Sequence, residues 1–123
     1  MKKPKEIFDL MYNNDPFSKL LGMELLEINE GFCKLQMKVS NDMLNGFGIA
    51  HGGITYSLAD SALAFASNSR GIQSVSIETS INHLSKVVEG DTLTAITEEK
   101  NLTGRTALYL INIINQHQQS VAL

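Results

Sequence analysis

The chain has 123 residues, 43% of them apolar and 19% charged, with a formal net charge of −3 and an isoelectric point near 5.5. That length supports one domain with its own hydrophobic core, and the lack of a basic surplus argues against a nucleic-acid partner. No apolar run is long enough to span a bilayer, and the only cysteine, Cys33, leaves no intrachain disulfide or cysteine-rich metal site and fits a reducing, cytoplasmic setting.

The N-terminal stretch carries acidic residues inside its apolar part and does not read as a secretion signal. Residues 5–13 predict a short amphipathic helix with Ile7, Phe8, Leu10 and Met11 apolar. Asp15 before Pro16 is a helix-start signal, so a further helical turn is expected over Phe17–Leu21. Residues 23–29 read as a strand, and Asn29-Glu30-Gly31 as a turn. Cys33, Leu35, Met37 and Val39 then alternate with Lys34, Gln36 and Lys38, which predicts a half-buried strand closing a hairpin.

A glycine cluster follows and leads into a helix expected over Gly53–Ser69, long, free of internal proline and lacking a β-branched run. Val75, Ile77, Thr79 and Ile81 alternate with Ser76, Glu78 and Ser80 and predict another strand. Glu89-Gly90-Asp91 reads as a turn, Asp91–Lys100 as a strand, Asn101–Gly104 as a turn, Thr106–Asn115 as a strand and Gln116–Ser120 as a turn. Short helices, a hairpin, one long helix and a run of strands make an α+β domain: one antiparallel sheet with a helix packed on it. The uncovered face and edges of such a sheet predict self-association.

Between Asp42 and Arg70 the only charged side chain is Asp60. On a helical wheel, Ile54, Leu58, Ala62 and Phe65 share a stripe suited to pack on the sheet. Gly53, Ser57, Asp60, Ala64 and Ser67 share another, which is small and polar where a solvated face would carry Lys and Glu. That stripe is expected to face a partner or ligand, because a carboxylate without a basic neighbour is costly to keep in an apolar setting. His51-Gly52-Gly53 sits at the start of the helix, where free N–H groups and the helix dipole favour an anion or a developing oxyanion. The plain alternative is a loop turn. With the Asn45 amide close by, a carboxylate and an oxyanion donor are the parts of an acyl-transfer site. Seven residues separate Gly53 from Asp60, about 10 Å along a helix, too far for both to touch one carbonyl. Two antiparallel copies of the helix would bring them together, which argues for a site shared across a homodimer.

The stretch "LNGFGIAHGGITYSLADSALAFASNSRG" resembles the PaaI-type (phenylacetic acid degradation) hotdog thioesterases. Asn45, Gly46, Gly48, His51, Gly52, Gly53, Asp60, Asn68, Ser69 and Gly71 match the family's pattern. The flanks "DPFSKLLGMELLEINEGFCKLQMKV" and "VVEGDTLTA" match more loosely, so the resemblance covers roughly residues 15–123. It implies a hotdog fold, a curved antiparallel sheet wrapped around a central helix, in a homodimer and often a homotetramer. It also implies hydrolysis of an acyl-CoA, aryl-acetyl groups among the substrates, with no cofactor. By resemblance, Asp60 is the nucleophile or general base, the Gly53 N–H polarises the carbonyl, Asn45 positions carbonyl or water, and His51 shapes the loop near the thioester. Gly52, Tyr56 and Ser76 are expected at the substrate, Ser76 by a looser alignment. Members of the family carry about another strand after the position of Val121-Ala122-Leu123, so the expectation here is either a short last strand or a truncated chain, with a weaker sheet rim or a wider pocket where an edge strand is missing.

His83 and His117 lack metal-ligand spacing and read as structural or surface residues, as does Glu78. Cys33 reads as core. Lys86, Arg70 and Arg105 are candidate partners for CoA phosphates, each with surface charge as the plainer reading. The main rival function is an acyl-CoA-binding hotdog protein without catalysis. A dehydratase ranks below it, because His51 precedes the helix, and a dimerisation module is the remaining alternative.

Overall fold

The computed structural model describes residues 2–123. Helix α1 spans Pro4–Asn13 and α2 spans Pro16–Leu20, followed by strands β1 (Glu24–Asn29) and β2 (Phe32–Lys38). After a 3-10 turn at Asn41–Met43 comes the long helix α3 (Gly52–Asn68), then β3 (Thr92–Thr103), β4 (Thr106–Ile114) and β5 (Ser120–Ala122). The strands form one antiparallel sheet in the order β1-β2-β3-β4-β5, and α3 packs across β2, β3 and β4.

The predicted alternation of β2 holds: Cys33, Leu35, Met37 and Val39 are all buried against the helix. Burial pushes the Cys33 thiol up to about 12, so this cysteine is an inert core residue. The predicted helix stripe holds as well, with Leu58, Ala62 and Phe65 at 0%, 0% and 1% exposure and Ile54 packed at the rim of the core. Helix α1 leans on α3 through aromatic rings: Phe8 meets Phe65 edge-on at 4.6 Å and stacks on Tyr12 at 5.3 Å. Tyr12 fixes that arrangement by donating its hydroxyl to the Met23 carbonyl at 2.7 Å.

Two expectations fail. No strand forms over Val75–Ile81. The alternation is present, but an extended segment becomes a strand only where another edge takes up its N–H and C=O groups. Here β5 pairs with β4 only at Ile113–Ile114, and the loop meets β5 only near His83–Ala122. The remaining edge of β4 faces the loop across a groove of about 1070 Å³, with Val75 and Ile77 at 82% and 90% exposure. The turn expected over Asn101–Gly104 is also shorter, because β3 runs on past a bulge at Glu99/Asn101 to Thr103, which pairs with Thr106. The last strand is three residues long.

The far end of α3 is held by charge. Arg70 meets both carboxylate oxygens of Glu99 on β3, and Tyr109 on β4 donates to the same carboxylate at 2.6 Å. The guanidinium lies over Gly31 in the β1–β2 turn. Gly31 has φ of 74°, and a β-carbon there would sit 2.6 Å from Glu99 Oε2 and 2.7 Å from Arg70 Nη2. Glycine is therefore required both for the backbone and for the space. The Arg70 pair, followed by the Tyr109 hydroxyl, holds the Glu99 carboxyl below its ordinary 4.5. A carboxyl lowered in the folded state stabilises above its unfolded pKa and loses that contribution as pH falls through the lower folded value. Glu99→Gln is expected to cost about 2 kcal/mol near neutral pH. It should also flatten the decline in stability below about pH 4.5, as checked by urea unfolding of both proteins across the acid range.

Candidate active site

The outward stripe of α3 forms the floor of a hollow of about 500 Å³ lined by Phe17, Gly53, Tyr56, Ser57, Asp60, Ser61 and Thr79. The helix rotation that buries Leu58, Ala62 and Phe65 turns Asp60 outward, where it borders both this hollow and the wide groove beside β4. Asp60 is exposed, and no donor among the described residues meets its carboxylate. The sequence suggested a segment in which this carboxylate is hidden. In the single chain it stands open, because the small residues flanking it cover nothing. Ser57 spends its own proton on the Gly53 carbonyl at 2.7 Å.

His51 is the N-cap of α3, and its Nδ1 accepts the Gly53 N–H at 3.0 Å. The donor expected to polarise a carbonyl is thus already engaged by the neighbouring ring. Nδ1 as acceptor makes Nε2 the protonated nitrogen of the neutral ring. The Gly52 N–H, in the first turn of the helix, meets no backbone acceptor among the described residues. The His83 ring packs over Gly52, where a β-carbon would lie 3.2 Å from His83 Nε2. His83 is exposed and stands at the mouth of the helix, within the expectation of a structural or surface residue.

Asn45 lies outside the hollow. Its Oδ1 accepts the Phe47 N–H at 2.9 Å and the Ile49 N–H at 3.4 Å, so the side chain shapes the loop and leaves only its NH₂ to meet another group. Ser76 lines the wide groove beside β4, which Tyr56, Asp60 and Thr79 also line, whereas the hollow takes Thr79, bonded to the Tyr56 hydroxyl, and not Ser76. Of the basic candidates, Arg70 is committed to Glu99, while Lys86 and Arg105 are exposed. No cluster of potential metal ligands occurs among the described residues, and no described helix is long and apolar enough to cross a membrane.

Ser57 was read in the sequence as part of the stripe around Asp60, while Phe17, Ser61 and Thr79 escaped that reading. Ser61 lies one helical turn after Ser57 and was open to it. Phe17 and Thr79 arrive from distant segments, and no local pattern announces them.

The sequence pattern of the thioesterase superfamily matches residues 47–122, which contain the whole of α3 and the sheet strands β3 to β5. The chain belongs to the thioesterase superfamily. It is 42% identical over 113 residues to the acyl-coenzyme A thioesterase PaaI of Escherichia coli, covering 92% of this chain and 81% of that protein. The structure of the Escherichia coli PaaI protein from the phenylacetic acid degradation operon superposes with a TM-score of 0.95 at 39% identity, over 97% of this chain and 86% of that one. The structure of smu.793 from Streptococcus mutans bound to acetyl CoA matches with a TM-score of 0.77 at 31% identity, over 81% of each chain. The sheet and its central helix are accordingly the hotdog fold of thioesterases.

Within this thioesterase fold the His51 ring serves the helix first. Replacing it removes the side-chain acceptor that caps the α3 N-terminus. His51→Ala is expected to cost about 1 kcal/mol, measured as a lowered urea midpoint with the slope unaltered.

Proposed function

We propose that this protein hydrolyses an acyl-CoA thioester to the free acid and CoA, with Asp60 as the reacting carboxylate. The observation that carries the reading is the open, unpartnered Asp60 on the floor of a hollow whose other end is the glycine start of α3. The similarity to an acyl-coenzyme A thioesterase and to a fold that binds acetyl CoA supports it. Aryl-acetyl thioesters such as phenylacetyl-CoA are the first candidates, because of the similarity to PaaI.

Chemically, Asp60 has two routes. As nucleophile its oxygen attacks the carbonyl, the C–S bond breaks, CoA thiolate leaves, and water then opens the mixed anhydride. As general base it takes a proton from water, whose oxygen attacks directly, and the same C–S bond breaks. Either route places negative charge on the carbonyl oxygen. An N–H at the start of α3 opposes that charge when it points at the oxygen. The Gly53 N–H does so if the carbonyl oxygen takes the place of His51 Nδ1. Gly52 supplies a second donor, and Asn45 offers its NH₂. Tyr56 borders the acyl group and Ser76 the groove side.

The roughly 10 Å between Gly53 and Asp60 along one helix supports a site completed by a second copy of α3 in a homodimer, which a homotetramer would repeat. The one buried thiol fits a cytoplasmic enzyme.

A folded Asp60→Ala or Asp60→Asn variant is expected to lose at least ~10³-fold in kcat/KM over a panel of acyl-CoAs, read as release of free thiol. Retained turnover by a folded Asp60→Ala protein would refute the role of Asp60. Acyl-CoA binding without turnover by the native chain would favour the non-catalytic reading.

A further inference from the structure

Helix α2 is five residues long, too short to hold itself in place by its own hydrogen bonds. It nevertheless presents Phe17, at 51% exposure, to the same hollow as Asp60. A core phenylalanine would be buried, whereas this one keeps half its surface exposed and lines the site. Beside it, Ser18 is 1% exposed and carries the tether. Asp15 Oδ1 accepts the Ser18 N–H at 2.9 Å, and Asp15 Oδ2 accepts the Ser18 hydroxyl at 2.7 Å. The oxygens of Ser18 and Ser61 are 2.9 Å apart. An ionised carboxylate only accepts, so the single Ser18 proton goes to Asp15, and Ser61 must donate to Ser18. The chain therefore runs Ser61 to Ser18 to Asp15, and it joins α3 at the residue directly after Asp60.

We propose that Phe17 is a specificity-determining wall for the acyl group, and that the Asp15–Ser18–Ser61 chain positions it at a fixed distance from Asp60. Tyr56, bonded to Thr79, lines the same hollow. Two aromatic side chains thus share the lining next to the reacting carboxylate, a composition that favours a flat or compact acyl group over a long chain. The inference rests on the acyl-CoA reading above and adds to it which residues select the acyl group.

The test is a kinetic panel of aromatic, short and long acyl-CoAs. Phe17→Ala is expected to raise KM for aromatic and short acyl groups about tenfold, with kcat falling less than KM rises, and to narrow the preference over long chains. Phe17→Leu should restore most of the loss. Ser18→Ala and Ser61→Ala are expected to act in the same direction more weakly. Their double variant should be no worse than the stronger single one, because both remove one shared hydrogen bond. Thermal melting of each variant separates these effects from unfolding.

An unaltered acyl preference in a folded Phe17→Ala protein, or fully additive serine effects, would overturn the proposal. Failure of the catalytic reading looks different, since the native chain would then release no thiol. In that event the wall is read by calorimetry with a non-hydrolysable thioether analogue of an aryl-acetyl-CoA against CoA alone. The gain in affinity from the acyl group is expected to shrink about tenfold in Phe17→Ala, and an undiminished gain rejects the wall.

Discussion

Everything at the site depends on how α3 is rotated against the sheet. Leu58, Ala62 and Phe65 occupy one stripe of the helix and are sealed against the inner faces of β2, β3 and β4. Turning the helix half-way round would expose Phe65 and drive a carboxylate into the core. Emptying the Phe65 site alone is a loss of about 3–5 kcal/mol in comparable cores, a large part of the stability of a domain this size. The packing of three apolar side chains therefore fixes the direction of Asp60 more firmly than any contact Asp60 makes. Small residues around it, Gly53, Ser57 and Ala64, keep that outward face open.

The two ends of the helix are held by different means. At the start, His51 returns its ring to the Gly53 N–H, a compact cap that also occupies the donor of greatest chemical interest. At the end, Ser69 donates to the Ala66 carbonyl and accepts the Gly31 N–H at 2.7 Å, while Arg70 reaches Glu99. One end is thus built from neutral groups. The other is a partly buried charge pair bonded to a tyrosine, which locks the helix to the β1–β2 turn and to β3.

The successes and failures of the sequence reading divide along physical lines. The hairpin, the helix and its two stripes were legible because period-2 and period-3.6 alternation are local properties of the chain. The glycine at position 31 was recognised as a turn, but the ion pair pressing on it was not, since Arg70 and Glu99 are separated by twenty-nine positions. The Val75–Ile81 segment has the pattern of a strand without the strand, because pattern says which side chains alternate and not whether a backbone edge is available. The Asn45 carbonyl oxygen spans its own loop and leaves its NH₂ for another group, a division between local and distant partners that residue type does not announce.

By itself the sequence determined the periods, and with them the fold class, the buried stripe and the solitary carboxylate on the opposite one. Those features follow from the order of apolar and polar side chains along a helix or a strand. Only the tertiary structure decided what stands around that carboxylate. Phe17 comes from a short helix more than forty positions earlier and Thr79 from an extended loop nineteen positions later, and their meeting over α3 is a matter of chain path and packing. Local preference carries no record of that path, because the contacts that define the hollow are made between segments that share no period.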